Sequence, residues 1–362
     1  MRPKAIVLAE GVFGSTNGKT AHGLVRYSKR YEVVGVIDST FAGLDAGYVL
    51  DGKYRDIKVY STIEETLSLK PEVLIVGAAT DGGYLPKEYR PFIRKAILLG
   101  LDIVSGLHEF LSDDPEFSQL AESTGVKITD VRKMFLKKQE FFTGEIEKVD
   151  SIKVAVLGTD SAIGKRTTTI MLTETLKDMG YKAIFVGTGQ TAWMQGAEYV
   201  ALIDAMINDF VAGGIESEVV RAWKDHHPDF ILIEGQGGIL HPAYPGGFEI
   251  IAAGRPEAII LQHAPKRIYY DGFEKYPIPD VSKFMQIIEL LSDHPVTGIT
   301  LNTERMNEYE IPEYISEYEL KYGVPVDAPL YTGVNKIAKA LVDMLSRKKE
   351  GMKPYIRGGF RF

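Results

Sequence analysis

The sequence predicts an α/β protein of two domains, each built on a mainly parallel sheet between helices. Three observations carry that prediction. Short apolar runs of strand length alternate with amphipathic stretches of helical period. The alternation breaks once, near residue 150, and then restarts. A chain of 362 residues also exceeds what one hydrophobic core usually serves.

In the first domain, expected over residues 1–149, the runs KAIVLAE from Lys4, EVVGVID from Glu32, EVLIVGA from Glu72 and LDIVSG from Leu101 read as strands. Residues 21–30, 63–69 and 87–99 read as the helices between them. This βαβ rhythm implies a parallel sheet covered on both faces, a Rossmann-like domain. The passage FLKKQEFFTGEIEKVD from Phe135 is charged and aromatic, without strand alternation. The rhythm resumes at IKVAVLG from Ile152, so the second domain is expected over 150–362. Its further strands are KAIFVGTG from Lys182, DFILIEG from Asp229, AIILQH from Ala258 and VTGITLN from Val296. The basic, glycine-containing tail over 347–362 reads as a docking arm or a loose end.

Composition narrows the function classes. A formal charge of −7 argues against a general nucleic-acid or anionic-membrane surface. The chain has no cysteine, which excludes disulfides, thiolate metal sites and cysteine nucleophiles. Its apolar runs are far shorter than the roughly 20 residues of a membrane span. The opening MRPKAIVLAE lacks a signal-peptide run and reads at once as a strand. A cytoplasmic protein with a small-molecule substrate is expected, without membrane or nucleic-acid partners and as a homo-oligomer.

The stretch GTDSAIGKRT over 158–167 follows one strand and precedes a helix, the setting a phosphate-binding loop needs. Backbone N–H groups of such a turn and of the helix start converge on an anion, and Lys165 adds a full charge. Gly158, Thr159, Asp160, Ser161, Ala162, Ile163, Gly164, Lys165, Arg166, Thr167 and Thr168 are therefore the candidate donor-binding residues. The glycine spacing is one residue longer than in G-x-x-x-x-G-K-[ST]. Arg166 stands where a magnesium-binding hydroxyl is usual, and a guanidinium has donors but no acceptor lone pair. Glu234, at the end of the DFILIE strand, holds the position of an acid that handles metal or water in phosphoryl-transfer sites.

GTDSAIGK and DFILIEGQGGILHP resemble segments of dethiobiotin synthetase and its P-loop relatives. The fuller set GKTAHGLVRY, GTDSAIGKRT, VGTGQTAWMQG, IDAMINDFVAGGIE and EGQGGILHPAY is similar to a two-domain family formerly of unknown function, now associated with D-glutamate N-acetyltransferase. The resemblance spans nearly the whole chain. It implies a P-loop NTPase-like second domain and acetyl transfer from acetyl-CoA to the amine of D-glutamate or a similar acidic amino acid. ATP with magnesium, as in a ligase or kinase of the dethiobiotin synthetase type, is the alternative, and a non-catalytic nucleotide sensor is a third reading. Coenzyme A carries phosphates to be held and not cleaved, a task for which Arg166 would supply a static counter-charge with no metal ligand required. The alternative is that Arg166 points outward to a surface acid while Thr167 or Thr168 meets a metal.

Acetyl transfer needs a group to take the amine proton and donors for the developing oxyanion. His241 is the first candidate base, since histidine titrates near neutral pH, and Glu234 is the second. The N–H groups from Gly235 to Gly238 are candidate oxyanion donors. Gln190 and Thr191 in the GTGQT turn, and Lys266 and Arg267 with His263 in LQHAPKR, are candidate partners of an acidic substrate. Asp204 and Asp209 read as pocket or capping residues, and Asn302 as a base contact. GSTNGKT over 14–20 also mimics a phosphate loop. However, Gly11, Gly14 and Gly18 fit neither nucleotide-binding spacing. A structural turn capped by Thr20 is expected there, with Asp38 the acid a ribose site would use.

Overall fold

The structure, a computed structural model, describes residues 2–351. Among them the chain forms two compact units. The first comprises residues up to Lys138 with Gly189–Ala197 and Asp204–Met206. The second comprises Gln139–Thr188, Glu198–Ile203 and the chain from Ile207 onward.

The first unit is built on six strands: β1 (Lys4–Leu8), β2 (Glu32–Ile37), β3 (Lys58–Tyr60), β4 (Val73–Val76), β5 (Asp102–Ser105) and β6 (Ile128–Asp130). They pair in the order β3-β2-β1-β4-β5-β6, every pair parallel. β1 lies inside the sheet, with Ala5 opposite both Val33 and Val73. Ala5 to Leu8 are fully buried, which is why the run carries no polar alternation. The order reverses between β1 and β4, the doubly wound arrangement of a Rossmann-like domain.

The second unit holds β7 (Ile152–Gly158), β8 (Ala183–Gly187), β9 (Tyr199–Val200), β10 (Phe230–Glu234), β11 (Ala258–His263), β12 (Tyr269–Tyr270), β13 (Phe273–Pro277), β14 (Val296–Leu301) and β15 (Val326–Asp327). Seven of them form a parallel sheet in the order β15-β14-β11-β7-β10-β8-β9, and β12 and β13 make a separate antiparallel hairpin. β7 is central and buried along its whole length. Its one charged residue, Lys153, sits at the strand start and reaches Glu257 at 2.8 Å. Both sheets are α/β layers, the fold class expected from the apolar rhythm.

Several boundaries differ from the sequence reading. The units part after Lys138, not near residue 150, because the intervening chain is bonded within the second unit. Glu216 accepts from Thr143 N at 2.6 Å and from Ile146 N at 3.1 Å. The helix expected over 63–69 is a 3₁₀ turn, Glu64–Leu69, and the one over 87–99 begins as a 3₁₀ turn before the α-helix Arg90–Leu98. The short strands β3, β6, β9 and β15 carry two or three residues each, too few to show a period. Thr20 does not cap a helix. Gly18 holds the cap position of Lys19–Arg26, and the Thr20 hydroxyl lies inside that helix, 3.0 Å from the Thr191 hydroxyl. Asp38 is fully buried and accepts from Phe13 N, just before the GSTNGKT segment, and from Thr40 N in the turn after β2, so both its oxygens have backbone partners. Of the basic tail, residues from 352 lie outside the described residues. Lys348 and Lys349 close the helix Asn335–Lys349 and pair with Glu257 and Asp229. Among the described residues no helix is long and apolar enough to cross a membrane.

Candidate functional site

The phosphate-loop segment leaves β7 at Gly158 and enters the helix Lys165–Asp178. Gly164 caps that helix at φ +100°, a conformation that favours glycine, and Ala162 also has positive φ. The Lys165 stem lies beside two glycines. A Cβ on Gly158 would come 2.8 Å from Lys165 Cδ, and one on Gly235 would come 3.0 Å from the same atom. Gly238 packs as closely on Asp160, where a Cβ would lie 3.0 Å from its Cα and N. The glycines of EGQGG therefore let the loop after β10 lie directly against the phosphate loop. Lys165 is buried, and its Nζ donates to the Asp160 carbonyl at 2.7 Å.

Arg166 turns toward Glu234, with Nη1 3.6 Å from Oε1. Glu234 is buried at the end of β10, where its Oε2 accepts from Thr188 N at 2.9 Å. The acid beside Arg166 is thus the buried strand-end carboxylate and not a surface one. The Thr168 hydroxyl donates to Gln262 Oε1 at 2.5 Å, beside a second donor, Thr300, at 2.6 Å. Thr168 is therefore directed at the sheet, and Thr167 is half-buried one residue before it.

Asp160 is the hub of the loop. Its Oδ2 accepts from Arg267 Nη1 at 2.7 Å, and its carboxylate also receives Ser161 N and Asp271 N. Arg267 further donates to Ser161 O and, through Nε and Nη2, to both oxygens of Glu304 at 2.8 Å. This fork is complete without a ligand, so Arg267 clamps the loop and leaves no bidentate edge for a substrate carboxylate. Lys266 pairs with Glu310 at 2.5 Å and lies over the Tyr314 ring. Ser161 Oγ donates to Asp271 at 3.2 Å. Asn302 donates to Ile163 O and accepts from Glu304 N, which makes it a clasp on the loop. The Thr159 hydroxyl lies 2.9 Å from His263 Nδ1. Burial pushes His263 down to about 4, so it is neutral at physiological pH.

His241 is enclosed by the rings of Tyr244, Tyr270 and Phe273. Its Nδ1 accepts from Ala243 N and Tyr244 N, both at 3.1 Å, which assigns the proton to Nε2. Nε2 lies 3.4 Å from Asp160 Oδ1, outside hydrogen-bond geometry and sealed from solvent. Burial holds the ring below its ordinary pKa, with Asp160 opposing and Lys165 assisting. His241 consequently presents an N–H toward the loop, not an open lone pair.

The structure brings Gly158 to Thr168, Glu234, His241, Lys266 and Arg267 together in the second unit. Gln190 and Thr191 belong to the first unit, where they bond Arg132 and Thr20. Asp204 is there too, paired with Arg132, while Asp209 lies in the first turn of the helix Asn208–His226. Asp271 and Glu304 also belong to the phosphate-loop cluster and carry no sequence signal. Each is an isolated acid in a loop, and no local spacing marks it.

Residues 140–338 match the family described as a domain of unknown function, DUF1611, P-loop domain, and residues 39–134 match its Rossmann-like N-terminal domain. A protein of Tritonibacter scottomollicae named D-glutamate N-acetyltransferase is 32% identical over 77% of this chain and 84% of its own length. A protein of the same name from a Pseudoalteromonas species is 30% identical over the same shares. The crystal structure of a DUF1611 family protein from Anabaena variabilis superposes with a TM-score of 0.87 at 31% identity, covering 94% of this chain and all of that one. With both domain models matched in order, and relatives of this identity spanning most of its length, the chain belongs to the DUF1611 family.

Proposed function

We propose that this protein is an N-acetyltransferase that holds the phosphates of acetyl-CoA on the loop 158–168 and acetylates the amine of D-glutamate or a similar acidic amino acid. The observation that carries the reading is the Arg166–Glu234 pair. Where a phosphoryl-transfer site places a hydroxyl and an acid around magnesium, this site places a guanidinium against the acid. A cation fixed there disfavours a divalent metal by repulsion and suits an anion that is held without being cleaved. The names of the two curated relatives support acetyl transfer as the reaction.

Acetyl-CoA, when bound, supplies the thioester, whose C–S bond would break as the C–N bond to the amine forms, with coenzyme A leaving as the thiolate. The residues of this chain do the rest. Gly164, the helix start and Lys165 meet phosphate oxygens, and Lys165 exchanges its bond to the Asp160 carbonyl for one to the ligand. Arg267, Glu304 and Asn302 keep the loop in shape. Glu234, whose Oε1 faces Arg166 loosely at 3.6 Å, takes the amine proton. His241, with its lone pair engaged by two amides of its own turn, holds the loop after β10 in shape.

Calorimetry with coenzyme A in the presence of chelator tests the donor assignment, alongside an acetylation assay on D-glutamate. Binding should persist without metal. Lys165→Ala should weaken it by roughly 1.5–3 kcal/mol, the range for hydrogen bonds to charged groups. Tight magnesium-ATP binding with no coenzyme A binding would overturn the reading.

A further inference from the structure

The first unit carries a second polar constellation, past the carboxyl ends of β5 and β6. Functional groups of open α/β sheets concentrate at that edge. Arg132 follows β6 by two residues, and its side chain is only 10% exposed. Its Nε and Nη2 donate to the two oxygens of Asp204 at 3.2 and 2.5 Å. Nη2 also donates to Gln190 Oε1 at 3.1 Å. These bonds fix the guanidinium plane and use the edge facing Asp204. Among the described residues nothing accepts from Nη1, and Nη1 is not sealed from solvent.

The same contact orients Gln190. Because Oε1 is the atom that accepts from Arg132, the neighbouring amide Nε2 is left as a donor, and it too has no acceptor among the described residues. Two glycines make the arrangement possible. A Cβ on Gly106 would lie 2.5 Å from Gln190 Cγ, and one on Gly83, itself at φ +67°, would lie 2.5 Å from His108 Cδ2. His108 keeps an exposed edge beside this group. Burial of the rest of its ring and the Arg132 charge hold its pKa down, against the pull of Asp204. The two charges at the centre of this group are those of Arg132 and Asp204, an ion pair that sums to zero.

We infer that Arg132, Gln190 and Asp204 form a binding site for the head group of an α-amino acid. Arg132 Nη1 and Gln190 Nε2 supply donors for the carboxylate. Asp204, with a side chain 27% exposed, retains oxygen lone pairs for the ammonium. A net-neutral site fits a zwitterionic head and disfavours a ligand that brings only negative charge. The site stands independently of the acetyl-transfer reading, since binding is measured directly. The bound amino acid is either the acceptor or an effector, and both share this chemistry.

The test is calorimetric titration of the full chain with D-glutamate, L-glutamate and glutarate, for wild type, Arg132→Lys and Gln190→Leu, each checked by thermal melting. At least one amino acid should bind wild type more tightly than glutarate by about tenfold or more, since glutarate lacks the ammonium. Arg132→Lys keeps the charge but loses the fork, and should weaken binding roughly 10- to 100-fold with little change in melting. Should that variant fail to fold, Gln190→Leu decides, because it removes one donor and leaves the Arg132–Asp204 pair. Unchanged affinity in the folded variants, glutarate binding as tightly as both amino acids, or no binding of any of the three, overturns the inference. A KM that rises in step with Kd identifies the acceptor, and a change in kcat alone identifies an effector. Amino acid binding without acetyl transfer would overturn only the reading of the reaction.

Discussion

Arg166 Nη1 and Glu234 Oε1 stand 3.6 Å apart, joining the first turn of the loop helix to the end of β10. The pair is well shielded, with side chains 18% and 4% exposed. Arg166 comes from the helix that the phosphate loop enters, and Glu234 from β10, which pairs with the strand the loop leaves. A cation at this point sets what the loop can hold.

Arg166→Ser takes the guanidinium away from Glu234, whose Oε2 keeps the Thr188 N–H. The variant should lose about 1–3 kcal/mol of stability, the scale for removing a charged partner from a buried carboxylate. Coenzyme A affinity should fall, and some magnesium-nucleotide affinity should appear, because the usual lysine–hydroxyl pair is restored. Denaturant melts and paired calorimetry with and without chelator check both parts. Unchanged coenzyme A affinity would remove Arg166 from the donor site.

The two glycines beside Lys165 should respond differently to alanine. At Gly235 the new Cβ would lie 2.1 Å from the Val156 carbonyl oxygen, which is backbone and cannot move aside. Gly235→Ala should cost roughly 3 kcal/mol or more, the upper end of overpacking. At Gly158 the nearest atoms are the flexible ends of Lys165 and Ile163, so Gly158→Ala should cost about 1 kcal/mol. The displaced lysine should nonetheless weaken anion binding. Urea titration and coenzyme A titration separate the two effects.

Turnover should divide His241 from Glu234. Asn at position 241 can still accept the Ala243 and Tyr244 amides, so His241→Asn should keep kcat within about tenfold of wild type. Glu234→Gln should lower kcat by about 10²–10⁴-fold if the carboxylate takes the amine proton. The reverse pattern in steady-state kinetics would return the proton to His241.

His263 makes stability depend on pH in a defined window. Its ordinary value is 6.5 and burial lowers it to about 4 in the folded chain. The unfolded chain therefore binds the proton first, and folding stability falls as the pH drops from about 6.5 to about 4. The full effect is about 3 kcal/mol, fully absent above the unfolded value. Urea melts across this range should show a shallower acid slope for His263→Gln than for wild type, and equal slopes would remove His263 as the cause.

Local residue pattern is enough to specify the two parallel sheets and the loop between β7 and the following helix. Strands buried on both faces must be apolar apart from their ends, so runs such as IKVAVLG and FILIE announce themselves locally. The loop is equally local, since its glycines, Lys165 and helix start lie within a few residues of one another. Where the long polar side chains end, by contrast, is set by the folded arrangement. Arg267, legible as a cation after a strand, closes on Asp160 and Glu304 and so clamps the loop. His241, legible as a base near neutral pH, is fixed as an N–H donor by two amides of its own turn. Gln190 follows the Gly187 end of β8 in the second unit, yet its helix packs with the first and its amide meets Arg132. Each outcome depends on strand order and on partners far away along the chain, because a buried charged or amide group must be satisfied by whatever the fold brings within about 3 Å.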